Sequence, residues 1–123
     1  MNQISTGIIL LLLAAINLFS QTGPAGIGNT ASNRMWLKAD EATYSDGGTT
    51  EALDGEYIQQ WSDQSGNNIH ATQPIVAHQP YLDVDAVNNK PAVRFSYDQF
   101  IDGSDLGING GDDFSFVFVL RSI

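Results

Sequence analysis

Phe114-Ser115-Phe116-Val117-Phe118-Val119-Leu120 is the stretch on which the fold class turns. In an extended chain Phe114, Phe116, Phe118 and Leu120 share one face, while Ser115, Val117, Val119 and Arg121 share the other. One face is strongly apolar and the other half apolar, as expected of an inner strand of a sandwich. Upstream, Phe100-Ile101 reads as a short strand ending at the turn Asp102-Gly103. Pro91-Ala92-Val93-Arg94-Phe95 reads as another, with Pro91 at its first position, where a missing N–H matters least. Tyr57 to Trp61 predicts a short strand closed by the turn Ser62-Asp63-Gln64-Ser65-Gly66-Asn67. Arg34 to Asp40 predicts the first strand, with Met35 and Leu37 on one face and Trp36 on the other.

Between these elements, Glu41 to Glu56 carries the turn signals Asp46-Gly47-Gly48 and Asp54-Gly55 and predicts a loop with room for a short helix. Gln21 to Asn33 is uncharged and rich in Gly, Thr and Asn, an extended lead-in. No segment after residue 20 carries a helical apolar stripe, and no repeat period is apparent. Short strands broken by Gly and Asn turns predict an all-β chain, an antiparallel two-sheet sandwich.

Ahead of this region, Ile8 to Ile16 is an unbroken apolar run. It suits the core of a secretory signal and falls short of the roughly 20 residues that a membrane-spanning helix needs. Residues 1–20 are therefore expected to be a signal peptide, cleaved between Ser20 and Gln21. The segment before the run lacks Lys and Arg, so a buried N-terminal helix and a retained anchor stay as weaker alternatives. This reading makes the export machinery a partner, removes membrane contact after cleavage, and places the mature chain outside the cell or on its surface.

The 123 residues carry 14 acidic and 5 basic side chains, a net charge of −9. Nucleic-acid binding is excluded on that balance, because phosphate neutralisation needs clustered Lys and Arg. Docking on anionic lipid is disfavoured for the same reason. Without cysteine there is no disulfide and no thiolate zinc site.

Three motifs carry a resemblance. In order, Met35-Trp36-Leu37-Lys38-Ala39-Asp40, Trp61-Ser62-Asp63-Gln64-Ser65-Gly66-Asn67 and Lys90-Pro91-Ala92-Val93-Arg94-Phe95 resemble the opening half of a LamG-like or concanavalin A-like jelly-roll module. Such modules occur in large secreted proteins of gliding, type IX-secreting bacteria. Ala71-Thr72-Gln73 stands where the family has A-T-Q, and Phe114 to Arg121 matches its following strand. The resemblance covers about residues 24–123. It implies a two-sheet jelly roll, export, and a role at the cell surface or on glycans. Residues 34–123 would then be the N-terminal part of the domain, incomplete at the C-terminus, since a complete jelly roll has about eight strands. One departure is local. After Phe95 the family usually has an Asp-Gly turn, whereas this chain has Ser96-Tyr97-Asp98, which leaves the turn type open.

Candidate sites divide by chemistry. Asp63-Gln64-Ser65-Gly66-Asn67-Asn68 spaces oxygens as a calcium loop would, but Gly66 and Pro74 fall where the EF-hand pattern does not want them. An Asx turn, with Gly66 in a left-handed conformation, is favoured over a metal there. Asp102, Asp105, Asp112 and Asp113 concentrate carboxylates that are either solvated on loops or gathered around a cation, and calcium is the one cofactor considered. Tyr44, Tyr81 and Tyr97 lie in turn-rich sequence and are candidates for an exposed sugar-stacking platform. Core packing is favoured for Trp36 and Trp61. With Asp63, Ser65, Gly66, Asn67 and Arg94 they form the structural motif, in which Arg94 is expected to pair with an acid such as Asp63. His70 and His78 lack a third ligand nearby and read as structural.

Catalytic signatures are missing from the sequence. Glu41, Glu51 and Glu56 sit in the loop region rather than paired on one strand face, as jelly-roll glycosidases place them. No G-x-S-x-G, H-E-x-x-H or G-x-x-x-x-G-K run occurs. The expected function is a non-catalytic β-sandwich module of a secreted or surface protein, binding glycan or cell-surface polysaccharide, or serving adhesion. The competing expectation is the N-terminal part of a secreted glycoside hydrolase or polysaccharide lyase.

Overall fold

Where this chain can turn decides how it pairs. A computed structural model describes residues 31–121; the expected signal peptide and residues 21–30 of the lead-in lie outside the described residues. The strands are β1 (Thr43–Tyr44), β2 (Gln60–Trp61), β3 (Ala71–Thr72), β4 (Tyr81–Val87), β5 (Lys90–Arg94) and β6 (Asp102–Gly103). One sheet has the order β1-β2-β3-β6 and the other is β4-β5, with every pairing antiparallel. Among the described residues the helical content is one 3-10 turn, Val76–His78, and no helix is long and apolar enough to cross a membrane. The described chain is all-β, in two antiparallel sheets.

The β4–β5 hairpin is the longest pairing. Its turn is Asn88-Asn89, with φ of 51° and 58°. Positive φ at both central positions is the type I′ pattern, whose twist matches the flanking strands, and Asn tolerates it better than most residues. Leu82 faces Val93 and Asp83 faces Ala92, then the register shifts before Val87 meets Lys90. Pro91 lies across from that irregularity, so its missing N–H costs no regular ladder bond. It is the second residue of β5, not the first. Arg94 pairs with Asp83 along a cross-strand diagonal. This corrects the expected pairing with Asp63, whose carboxylate is held by other donors.

Ile58, Ala52 and Leu82 form the core, with Trp61, Val93 and Ile101 packed against it. Ile58 donates its N–H to Pro80 at 2.8 Å and Leu82 donates to Glu56 at 2.9 Å. The chain therefore runs beside β4 before it enters β2 of the other sheet. Ile58 sits at this crossover and is wholly buried. Burial of that side chain contributes about 1.5–3 kcal/mol.

Other strand expectations change. Residues 41–56 hold β1 and its return, not a helix: Ser45 donates to Thr50 at 2.9 Å and Ala52 to Thr43 at 2.8 Å. The Asp46 carboxylate accepts the N–H groups of Gly48, Thr49 and Thr50 at 3.0, 2.7 and 2.9 Å, which closes the intervening turn. These bonds, Thr50 first, bring its pKa down from 3.8 to about 2. Arg34 to Asp40 joins no ladder beyond a bridge between Lys38 and Glu41. The Phe100-Ile101 strand is displaced to Asp102–Gly103, where it pairs with β3. Phe114 to Leu120 has no ladder partner among the described residues. Its alternation specifies two faces but cannot supply the second strand that a ladder requires.

Candidate functional site

The turn after β2 is a clasp on the segment before β1. Asp63 is buried, 8% exposed. Its Oδ1 accepts the N–H of Trp36 at 2.8 Å and of Ser65 at 2.8 Å. Its Oδ2 accepts the Ser65 hydroxyl at 2.7 Å and the Ile69 N–H at 3.2 Å. Gln64 donates back to the Trp36 carbonyl at 2.7 Å, and the Asn67 amide donates to the Asn33 carbonyl at 2.7 Å. Trp61 Nε1–H reaches the Lys38 carbonyl at 2.7 Å. Gly66 takes φ of 92°, the conformation expected of it in an Asx turn. The first two resembling motifs are thus one physical object.

Electrostatics follow from that geometry. Burial pushes the Asp63 carboxyl upward, but the Ser65 hydroxyl and the N–H groups of Trp36, Ser65 and Ile69 outweigh it and hold the pKa below the usual value. A carboxylate offers about four acceptor sites, and the chain's own donors occupy that complement. A cation at Asp63 would have to displace them. His70 is part of the same structure, because its Nδ1 accepts the Asp63 N–H at 3.1 Å.

Tyr44 ends β1 against the turn that Asp46 closes, and Tyr81 opens β4; both are half-buried rather than exposed. Tyr97 is different. Its side chain is fully exposed and its φ is 47°. Gln99 donates to the Ser96 carbonyl at 2.9 Å, making residues 96–99 a turn with Tyr97 at the first central position. Positive φ at that position alone is the type II′ pattern, which Gly dominates. A bulky side chain therefore occupies a turn position at which Gly is usual.

That turn is anchored on its neighbours. Ser96 donates its N–H to the Gln99 side-chain carbonyl at 2.8 Å, and Phe100 donates to the His78 carbonyl at 2.9 Å. His78 Nδ1 lies 3.1 Å from Asp98 Oδ2, within ion-pair reach though out of hydrogen-bond alignment. The His78 and Phe100 rings are 5.5 Å apart and tilted by 33°.

The acidic group is spread out. Asp102, Asp105, Asp112 and Asp113 are exposed; Asp105 accepts the Gly107 N–H and Asp112 the Asn109 N–H, each at 2.8 Å. No set of three or more His, Cys, Asp or Glu side chains among the described residues is placed to hold a metal ion. Glu41 pairs with Lys38, and Glu56 caps the Leu53 N–H at 2.8 Å. Trp61 packs against the core as expected, while half-buried Trp36 has the Lys38 ammonium 5.4 Å from its ring centre. Sequence reasoning missed the buried pair Gln73 and Gln79, where Gln79 Nε2–H donates to the Gln73 carbonyl at 2.8 Å. Ala71-Thr72-Gln73 was the available signal.

No family model matches this chain. No curated protein and no solved structure matches it either.

Proposed function

We propose that this chain is a non-catalytic jelly-roll module of a secreted or cell-surface protein, and that it binds neutral carbohydrate through Tyr97. The observation that carries this reading is a fully exposed tyrosine at a position whose φ of 47° favours glycine. A bulky residue there costs about 1–3 kcal/mol, and strain of that kind accompanies function more often than packing. An exposed phenol ring on a pinned turn offers an apolar face to sugar C–H groups, and its hydroxyl and the neighbouring Asp98 can meet sugar hydroxyls. The net charge of −9 selects neutral over anionic glycans. The apolar run Ile8 to Ile16 and the three motifs in order support export and the jelly-roll assignment.

Affinity electrophoresis through gels containing soluble neutral polysaccharides tests the binding. At least one polysaccharide retards the wild type, Tyr97→Phe keeps most of the retardation, and Tyr97→Ala weakens it about ten-fold, as loss of one aromatic contact predicts. Equal retardation of wild type and Tyr97→Ala by every polysaccharide would overturn the reading.

A further inference from the structure

We propose that His78 and Asp98 form a proton-operated latch on the turn that presents Tyr97, so that protonation of His78 tightens the turn and strengthens sugar binding. The effect on binding rests on the reading of Tyr97 as the sugar contact; the latch itself does not. A turn with φ of 47° at a Tyr does not keep that shape by local preference, so its neighbours must hold it. Residue 78 supplies three of the contacts that do so. Its carbonyl accepts the Phe100 N–H at 2.9 Å, its ring lies 5.5 Å from the Phe100 ring, and its Nδ1 faces Asp98 Oδ2 at 3.1 Å. The base beneath the ring is fixed. His78 donates its N–H to the Ile75 carbonyl at 2.9 Å, and the buried Gln73 binds both sides of the junction. Gln73 Oε1 accepts the Ile75 N–H at 3.0 Å, and its Nε2–H donates to the Phe100 carbonyl at 3.5 Å. Of all these contacts, the one between imidazole and carboxylate is the one that changes with a proton.

His78 Nδ1 is buried from water and makes no hydrogen bond among the described residues. In a neutral ring that atom either points a lone pair at the carboxylate, which repels it, or carries an N–H out of alignment with it. A protonated ring places an N–H and a positive charge beside Asp98 in both cases. The surroundings leave this pair uncontested. Residues 73–80 and 95–101 contain no Lys or Arg, and Asp98 is their one acid. Asp98 is also the carboxylate within ion-pair reach of His78 among the described residues. Because the Asp98 side chain is 72% exposed, water screens the pair and limits its effect on the turn to about three-fold. The strain at Tyr97 opposes the anchoring contacts, so the held fraction responds to a contact of this size, and a sugar that needs the held turn binds in proportion to that fraction.

Amide exchange of the full 123-residue chain, followed by NMR, tests the latch. It is read as protection factors, which cancel the intrinsic pH dependence of exchange. From about pH 7.5 to about pH 5.5 an ordinary histidine gains its proton while ordinary carboxylates stay ionised, and protection of the Gln99 and Phe100 amides rises about three-fold. The Leu82 amide, bonded to Glu56 beside the core, stays level. Asp98→Asn and His78→Gln each flatten the rise; the first keeps a residue that turns favour and leaves His70 to titrate as before. In gels containing hydroxyethylcellulose, xyloglucan or dextran, the wild type binds up to about three-fold more tightly at the lower pH, and His78→Gln shows no such difference. Equal protection at both pH values, a rise that survives Asp98→Asn, or a rise shared by Leu82 overturns the latch. Protection that rises while retardation stays level overturns its effect on binding. No retardation in any gel at either pH overturns the carbohydrate reading, and the exchange data decide the latch on their own.

Discussion

Asp63 holds together four donors from three residues, one of them 27 positions away, so its removal leaves several N–H groups without acceptors. Asp63→Ala is expected to destabilise the fold by about 3 kcal/mol, and Asp63→Asn, which keeps one acceptor oxygen, by about half that. In a thermal melt the alanine variant loses more than about 10 °C; a loss under about 3 °C would show that water replaces the carboxylate. The sign of the pH dependence follows from a folded pKa below the ordinary 3.8. The unfolded chain binds the proton more readily, so the Asp63 contribution is complete above about pH 5 and is lost as pH falls through and below about 4. Asp63→Asn removes part of that acid slope. Tyr97 sits at the opposite extreme, a side chain that costs the fold energy. Tyr97→Gly relieves the positive φ and is expected to raise stability by about 0.5–1 kcal/mol while weakening retardation by polysaccharide about ten-fold, as Tyr97→Ala does. A glycine variant less stable than wild type by chemical denaturation would show that the ring packs favourably.

At the scale of elements, the hairpin turn offers a sharp test. Asn89 has φ of 58° in a type I′ turn, where Gly is the preferred second residue. Asn89→Gly is expected to stabilise the protein by about 0.5 kcal/mol and Asn89→Val to destabilise it by about 1–2 kcal/mol, both read from urea midpoints. The sequence carries the signals of this hairpin. Leu82, Val84 and Ala86 alternate with Asp83 and Asp85, and Asn88-Asn89 follows at once. Local chemistry predicts the turn Ser62 to Asn67, from Asx and Gly, and a strand at Pro91 to Phe95, from a leading Pro and β-branching, which the fold places at Lys90–Arg94. Phe114 to Leu120 has the clearest alternation in the chain and joins no described sheet. Alternation is a property of one segment, whereas a strand is a property of two. The same limit explains Arg94, whose charge called for a carboxylate but whose register, set by the turn at Asn88, chose Asp83. Tyr97 could be picked as exposed from its turn-rich surroundings; its backbone conformation became visible only when the chain was folded.

Over the whole molecule, charge and its placement govern the response to cations. The four acids are exposed, Asp102 in β6 and Asp105, Asp112 and Asp113 in the chain that follows it. Saturating calcium at ten times a millimolar dissociation constant adds under about 1.5 kcal/mol, so EDTA is expected to move the melting temperature by only a few degrees. A drop of more than about 10 °C would identify a structural cation and make those four residues the first to mutate. The clasp has a different consequence at this scale. The Trp36 amide belongs to no sheet ladder, and its partner carboxylate lies 27 residues away. Its hydrogen–deuterium exchange therefore times the release of residues 33–38 from the turn, not the opening of a sheet. The amides of Ser65 and Ile69 share the same acceptor group and should exchange in step with it. The Leu82 amide, bonded to Glu56 beside the core, should exchange more slowly and on its own clock.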